Sequence, residues 1–300
     1  MSWPSPDALQ GEELRLSIDT WTEQLKYFVE NVVGMPCFVA GNSLGGLLAA
    51  SFATACPELC RGVCYLNATP FWSVMPRLGT PSARALRSVL RWDGALPAPE
   101  PLKRAVGRAW AAFAQEDNVR ATLEQVYSHK AAADDDLVNS IMEAARHPLA
   151  LDAIASIILS PRSARPFGQL AAAAAAACPA CLIYGKEDPW VVPLWGQRLR
   201  RLLPADTAYY EVSPAGHCPH HEAPEAVYAC LADWMAAQEA SRKPYLAVGE
   251  QLTVDTQDGR RIVVTHVAGE PRTLLERAET ALYKLRRRLG RQPDVAAEGS

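Results

Sequence analysis

The sequence predicts an α/β protein with a mostly parallel sheet, helices on both faces of it, and a helical insertion. Two observations carry this prediction. Short apolar runs, which are typical of strands buried on both faces, alternate with segments of helical period before residue 70 and again over residues 179–242. Between these stretches, residues 71–178 are rich in Arg, Ala and Pro and contain helical patterns without a comparable strand signal.

The first part of the core, within residues 1–70, alternates between the two element types. Apolar residues recur near the 3.6-residue period from Leu16 to Val29, and Gly34 ends that helix. A buried strand is predicted over 36–40, a helix of small residues over 47–55, and another buried strand over 62–66. Helix, strand, tight turn, helix and strand in this order are typical of a parallel sheet.

The rest of the chain divides into a cap, a second part of the core and an extension. Helices are expected over 102–113 and 119–127 within the cap (71–178), and the Ala-rich run 171–177 is expected in a helix or its linker. The second part of the core (179–242) is predicted to contain strands over 181–184 and 208–212 and helices over 195–203 and 224–240.

The extension over 243–300 has two predicted elements. Residues 251–255 and 260–266 flank Asp258-Gly259, which predicts a hairpin with a type I′ turn. An apolar stripe from Leu274 to Leu289, with Lys and Arg beside it, predicts a basic amphipathic helix. This helix is expected either to lie on an anionic membrane surface or to dock on its own domain.

Composition narrows the function classes. A chain of 300 residues with 49% hydrophobic content has enough apolar surface for a full core. A net charge of −3 provides no global basic field for nucleic acid. Several of the 8 cysteines lie in apolar, strand-like runs, which indicates small buried side chains and not a disulfide framework. The sequence contains no motif typical of a cofactor-binding site, so no cofactor is expected.

The turn Gly41-Asn42-Ser43-Leu44-Gly45 is the strongest chemical signal. Gly-x-Ser-x-Gly between a buried strand and a helix of small residues is the nucleophile elbow of α/β-hydrolases. The flanking glycines are expected because the serine backbone is strained and the strand and helix approach closely. Ser43 is therefore the candidate nucleophile, and the backbone N–H of Leu44 is the candidate oxyanion donor.

A serine hydroxyl needs a base to take its proton, and in this fold the base follows the last strand. His217, in Ser213-Pro214-Ala215-Gly216-His217, is the candidate base. His220 and His221 are nearby competitors that are expected to cap the last helix or to face solvent. The histidines and Cys218 match no recognised zinc spacing, so we expect no metal there.

The acid that orients the base is expected after the strand between serine and histidine. Asp188 lies just past that strand, and Pro189 favours an extended turn that aims the preceding side chain inward. Glu187 is adjacent and stays open as an alternative on chemistry alone. The order Ser43, Asp188, His217 is the α/β-hydrolase order.

Together the motifs resemble those of the pheophytinase family, chloroplast α/β-hydrolases of chlorophyll breakdown. The resemblance runs from about Leu16 to Trp234, and its most distinctive strings are Asn67-Ala68-Thr69-Pro70-Phe71-Trp72 and Ala215-Gly216-His217-Cys218-Pro219-His220. It implies hydrolysis of the phytyl ester of pheophytin in the chloroplast, with Ser43, Asp188 and His217 as nucleophile, acid and base. A chlorophyll dephytylase, another lipid esterase and a non-catalytic module that binds pigment or a partner are the alternatives.

Large aromatic residues near the predicted strand ends suit a flat macrocycle or a prenyl chain. Phe71, Trp72 and Trp190 are the candidate substrate contacts, with Trp195 also close in sequence to the site. Ordinary core packing of each tryptophan is the alternative. The basic helix is the candidate contact with the thylakoid membrane or with other chlorophyll-breakdown proteins.

The family pattern places strands and a glycine-rich oxyanion loop before the Leu16 helix, where this sequence has a short loop. The alanine bias suggests an algal homologue. The missing strands and oxyanion loop predict that the sequence is truncated at its N-terminus and has little activity. If the second oxyanion donor is missing, turnover is expected to fall by about 100- to 1,000-fold.

Overall fold

The computed structural model describes residues 17–69, 80–90, 99–159 and 165–267. They form one sheet of six strands with helices on both of its faces. The strands are β1 (Cys37–Asn42), β2 (Cys60–Leu66), β3 (Ala180–Gly185), β4 (Ala208–Ser213), β5 (Gln251–Asp255) and β6 (Arg261–His266). The α-helices are α1 (Ile18–Phe28), α2 (Leu44–Ala55), α3 (Pro81–Leu90), α4 (Glu100–Phe113), α5 (Glu116–Val126), α6 (Asp135–Ala145), α7 (Ala150–Leu159), α8 (Phe167–Ala177), α9 (Pro193–Arg200), α10 (Pro219–Glu222) and α11 (Pro224–Glu239).

The sheet has the strand order β1-β2-β3-β4-β6-β5. Strands β1 to β4 are parallel, whereas β6 pairs antiparallel with both β4 and β5. The mostly parallel sheet predicted from the sequence is therefore confirmed. The carboxyl ends of β1 to β4 meet at one edge, and the turns that follow them supply the candidate site.

Successive side chains of the central strands point to opposite faces of the sheet and pack in two different hydrophobic clusters, as expected for a sheet covered on both faces. On β3, Leu182 and Tyr184 pack with α2 and α8, whereas Cys181 and Ile183 pack with α11. Each of these four side chains is fully buried. The apolar runs of the sequence thus reflect strands that have no solvent-facing side.

The described part of the cap is helical and has a small core between α5 and α6, formed by Val119, Leu123, Val126, Tyr127, Ala133, Val138 and Met142. Asp134 caps α6 by accepting a 2.8 Å bond from the Leu137 N–H, and Asp135 pairs with Arg120. The sequence assigns the Ala-rich helix α8 to the cap, whereas the structure packs its Leu170, Ala171 and Ala174 against the core beside α2.

The hairpin of the extension is part of the main sheet, because β6 pairs with β4. Its turn differs from the type I′ prediction. A type I′ turn needs positive φ at both central residues, but within the loop 256–260 only Gly259 has it, at 80°. The Gly259 N–H donates to the Thr256 carbonyl at 2.9 Å, which makes a type I turn followed by a left-handed glycine. The Asp258 carboxylate accepts bonds from Thr256 and Arg260 and so stabilises this turn.

Some sequence predictions lie outside the described residues. These are the loop before α1, the candidate substrate contacts Phe71 and Trp72, and the basic helix over 274–289. Within the part of the chain that is described, no helix combines the length and apolarity needed to cross a bilayer.

Candidate active site

Ser43 lies between the end of β1 and the start of α2 with a backbone conformation of φ 52° and ψ −118°. Non-glycine residues rarely adopt such a conformation, and it persists only where the surroundings enforce it. Here the Ser43 N–H donates to the Leu66 carbonyl at 3.0 Å, and the Ser43 carbonyl accepts bonds from Gly46 and Thr69, each at 3.1 Å. The end of β2 and the first turn of α2 therefore hold the predicted elbow in its strained form.

The glycines around Ser43 have different roles. A Cβ on Gly41 would lie 2.0 Å from the Gly45 carbonyl oxygen, and one on Gly46 would lie 2.3 Å from the Ala68 Cβ. A Cβ on Gly45 would meet no described atom within 4 Å. The expected close approach is thus present at Gly41, but the second tight position is Gly46 and not Gly45.

Leu44 is the first residue of α2, so its backbone N–H is one of the helix N-terminal donors that have no partner within the helix. Such donors suit a developing negative charge. The predicted oxyanion donor is therefore at a helix N-terminus, directly after the candidate nucleophile.

His217 and Asp188 are in direct contact. The His217 Nδ1 lies 2.7 Å from the Asp188 Oδ2, and both residues are buried. The other carboxylate oxygen, Oδ1, accepts backbone N–H bonds from Trp190 at 2.7 Å and Val191 at 2.9 Å. This arrangement fixes the carboxylate and leaves Nε2 as the imidazole nitrogen that is free to exchange a proton.

Glu187, the alternative acid, contacts a different part of the histidine loop. Its carboxylate accepts bonds from the Ser213 hydroxyl and the Ala215 N–H, each at 2.8 Å. Burial raises the pKa of Glu187, and the two hydrogen bonds partly offset that effect. Of the two adjacent carboxylates, Asp188 is therefore the one that orients the imidazole.

Asn42 connects the serine turn to the histidine loop. Its side-chain amide donates to the His217 carbonyl at 2.9 Å and to the Leu66 carbonyl at 3.2 Å. The residue before Ser43 thus contacts the backbone of the candidate base. Among the described residues, no hydrogen bond joins the Ser43 hydroxyl to the imidazole; such bonds often tighten only when substrate is bound.

Two polar residues at the site were not predicted from the sequence. Asn67, fully buried at the end of β2, donates to the Asp188 Oδ2 at 2.7 Å. Glu222, also fully buried, accepts backbone N–H bonds from Gly216 and Cys218 in the histidine loop and from Ser128 and His129 in the cap. A polar residue directly after a buried strand was a usable signal for Asn67, but the sequence carries no local signal for Glu222.

The aromatic candidates are separated by the structure. The Trp190 ring lies 5.4 Å from the His217 ring, between centroids, and is 52% exposed, so it is accessible to a ligand beside the candidate base. Trp195 packs on the main core, with the Arg198 guanidinium 5.1 Å from its ring centroid. The core-packing alternative thus applies to Trp195 and not to Trp190.

The remaining histidines and cysteines form no metal centre in the described ranges, where no group of three or more His, Cys, Asp and Glu side chains has suitable geometry. His220 and His221 lie in α10 and are exposed. Burial raises the pKa of the Cys218 thiol to about 11, so this thiol is protonated at neutral pH.

The chain is similar in sequence to known α/β-hydrolases. The α/β-hydrolase family model matches residues 4–229. The chloroplastic pheophytinase of Arabidopsis thaliana is 38% identical over 252 residues, which cover 83% of this chain and 51% of that protein. The chain therefore spans about half the length of this relative. The resemblance inferred from the motifs is confirmed.

Solved structures share the fold at low sequence identity. The meta-cleavage product hydrolase CumD of Pseudomonas fluorescens IP01 is 18% identical, with 77% of this chain and 75% of that chain covered and a TM-score of 0.52. The structure of DBJA is also 18% identical, with 77% and 78% covered and a TM-score of 0.53. The elbow between β1 and α2, the parallel sheet and the family match agree: the chain belongs to the α/β-hydrolase family.

Proposed function

We propose that the chain is a serine ester hydrolase in which Ser43 is the nucleophile, His217 the general base and Asp188 the orienting acid. The observation that carries the proposal is the 2.7 Å contact of the buried Asp188 with His217, on a loop that Asn42 ties to the strained Ser43 turn. Buried, fully hydrogen-bonded carboxylates of this kind hold an imidazole in the tautomer that accepts a proton at Nε2.

The reaction follows from these positions. His217 Nε2 takes the Ser43 hydroxyl proton while Oγ attacks the ester carbonyl carbon, and the Leu44 N–H donates to the resulting oxyanion. The imidazolium then gives its proton to the alcohol oxygen as the ester bond breaks, which leaves an acyl group on Ser43. Water, deprotonated by the same imidazole, releases the acid and restores the serine.

The proposed substrate is the phytyl ester of pheophytin, and the proposed products are pheophorbide and phytol. Support comes from the 38% identity to a chloroplastic pheophytinase and from the exposed Trp190 ring beside His217. A broad aromatic face suits a flat macrocycle. On the same basis we propose a chloroplast location, with residues 274–289, for which the sequence predicts a basic helix, as the contact to the thylakoid membrane or to other proteins of chlorophyll breakdown.

The test is phytol release from pheophytin by the purified 300-residue chain, with Ser43→Ala as the control. We expect the substitution to lower turnover by about 10⁴-fold or more, because the nucleophile is lost while the fold is kept. A fluorophosphonate probe is expected to label the wild-type chain and not Ser43→Ala. An unlabelled wild-type chain that releases no phytol would overturn the proposal and favour a non-catalytic module.

Chlorophyll serves as the paired substrate in the same assay. The two pigments differ at the macrocycle centre and carry the same phytyl ester. Faster release from pheophytin is the expected result for the proposed selectivity. Equal rates would contradict that selectivity while leaving the ester hydrolase assignment intact.

A further inference from the structure

Asn67 bridges two segments at the edge of the candidate site. It directly follows β2, is fully buried, and has a positive φ of 39°, a conformation that asparagine tolerates better than most residues. Its Oδ1 accepts the Gly185 N–H at 2.8 Å, and its Nδ2 donates to the Asp188 Oδ2 at 2.7 Å. Because the Gly185 N–H can only donate, the orientation of the amide is fixed and the Asp188 oxygen receives the amide N–H.

We propose that Asn67 is a positioning residue for the candidate acid, which it holds in the orientation that meets His217. This inference rests on the proposed function. Its basis is that the Asn67 amide donates to the same carboxylate oxygen, Oδ2, that lies 2.7 Å from the His217 Nδ1.

The four hydrogen bonds to Asp188 divide into two pairs. The pair on Oδ1 comes from the backbone of Trp190 and Val191, within Asp188's own turn. The pair on Oδ2 comes from Asn67 and His217, which are distant in the chain. Of the contacts other than the base itself, Asn67 is therefore the one that fixes the carboxylate relative to the rest of the sheet. Without it, a buried oxygen would lose a donor and the carboxylate would be anchored only to its own loop.

Two of the ionisable groups near Asp188, the Tyr184 hydroxyl and the Cys218 thiol, have raised pKa values. The Tyr184 hydroxyl donates to the Ala68 carbonyl, and burial raises the pKa of Tyr184 far above neutral. Burial likewise raises the pKa of Cys218 to about 11. Because His217, Glu187 and His220 also lie near the Asp188 carboxylate, a new ionisation at position 67 is read as the difference between the pH profiles of Asn67→Asp and the wild-type chain between pH 5 and pH 9.

The experiment compares Asn67→Asp with Asn67→Gly. Both substitutions suit the left-handed backbone. Asn67→Asp keeps an acceptor for the Gly185 N–H but replaces the amide donor by a second carboxyl group beside Asp188. Asn67→Gly removes both side-chain bonds. The readouts are kcat and KM for a p-nitrophenyl ester against pH, and the downfield proton NMR signal of the His217 Nδ1–H, assigned by its loss in His217→Gln.

Relative to the wild-type chain at the same pH, we expect Asn67→Asp to be most active at the acidic end of the range, where the two carboxyl groups share one proton and the shared proton replaces the amide N–H. As pH rises the second carboxyl ionises and repulsion displaces Asp188, so kcat and the NMR signal fall while KM changes little. For Asn67→Gly we expect kcat to fall by about 100-fold at every pH, the loss associated with a misplaced group of the site.

The proposal would be overturned if Asn67→Asp kept the wild-type pH profile and NMR signal while Asn67→Gly only lowered Tm. Asn67 would then have a structural role alone, as a hydrogen-bonded contact between the ends of β2 and β3. If Asn67→Asp does not fold, an unchanged NMR signal and unchanged kcat in Asn67→Gly would overturn it equally. The NMR signal does not depend on turnover. A wild-type chain without esterase activity would therefore refute the proposed function, while the signal would still test the position of Asp188.

Discussion

At the scale of single residues, Ser43 stores conformational strain at the site of the proposed reaction. Its φ of 52° with ψ of −118° lies outside the regions that residues with a Cβ favour, and three backbone hydrogen bonds, to the end of β2 and to the start of α2, keep it there. Strain of this type costs about 1–3 kcal/mol and is tolerated where a function depends on it. The hydroxyl is thereby presented above the helix N-terminus, at a cost to the stability of the fold.

The first prediction uses that strain. Ser43→Gly is expected to have a higher free energy of unfolding than Ser43→Ala by about 1–2 kcal/mol, since glycine adopts this conformation without a Cβ penalty. Both variants lack the nucleophile, so the comparison isolates the backbone. Urea unfolding followed by circular dichroism measures it, and equal midpoints would show that the turn is not strained.

A second prediction concerns the two glycines of the elbow. Gly41→Ala is expected to destabilise the fold by about 3 kcal/mol or more, because the new Cβ would overlap the Gly45 carbonyl, a backbone atom that cannot rotate away. Gly45→Ala, the matched control, is expected to leave stability unchanged or to raise it by up to about 1 kcal/mol. Thermal unfolding of the pair tests this, and similar Tm values would contradict the close approach at Gly41.

At the scale of elements, the candidate base depends on contacts between a loop, the cap and a short helix. Glu222 at the end of α10 accepts backbone N–H bonds from the histidine loop and from the segment after α5. The His217 N–H also donates to the Val126 carbonyl of α5 at 2.9 Å. The position of the base is therefore coupled to the position of the cap helices.

Glu222→Gln tests that coupling. Glutamine has a single acceptor oxygen, so backbone donors that now face the carboxylate would face an NH₂ group instead. We expect a loss of about 2–3 kcal/mol in the free energy of unfolding, together with lower kcat. Glu239→Gln is the control, because Glu239 is half exposed in a surface pair with Arg61 and its substitution is expected to cost less than about 1 kcal/mol. Equal effects of the two substitutions would contradict the role of Glu222.

The elements differ in how far their roles could be predicted. The elbow was predictable because strain, helix N-terminus and close approach are all encoded within a few residues. Asp188 was favoured over Glu187 through the adjacent Pro189, which is also local. The place of Asn67 directly after a buried strand was a usable signal for a site residue, but its partner was not predictable, since Asp188 is 121 residues away in the chain. The type I′ turn was wrong because the Asp258 side chain binds Thr256 and Arg260, which a dipeptide pattern does not reveal.

At the scale of the whole molecule, the hairpin extends the sheet beyond β4 and buries a histidine there. His266 on β6 is buried, its Nδ1 donates to the Leu246 carbonyl at 2.6 Å, and its ring lies 4.8 Å from that of Tyr210, between centroids. Burial lowers the pKa of His266 below its ordinary value of 6.5, with a smaller contribution from Arg200. Protonation of His266, on the strand that pairs with β4, is thus disfavoured in the folded chain.

This burial predicts how stability depends on pH. Between the lowered pKa of folded His266 and the unfolded value of 6.5, the unfolded chain binds more protons. The contribution of His266 is therefore fully present above pH 6.5 and is lost as pH falls through the lowered value. His266→Gln keeps a donor for the Leu246 carbonyl without an ionisation. The fall in unfolding free energy between pH 7 and pH 5 should be shallower in this variant; parallel curves would refute the prediction.

The tip of the hairpin reaches the site from the last described part of the chain. The Arg260 guanidinium donates to the Glu222 carbonyl at 2.7 Å, and the Asp258 carboxylate lies 3.3 Å from the His129 Nε2 in the cap. During synthesis on the ribosome, Ser43, Asp188 and His217 all emerge before these residues. The base loop and the cap consequently gain their full set of contacts only after the hairpin has been made. The nascent chain therefore contains all three side chains of the candidate site before the contacts that position them can form.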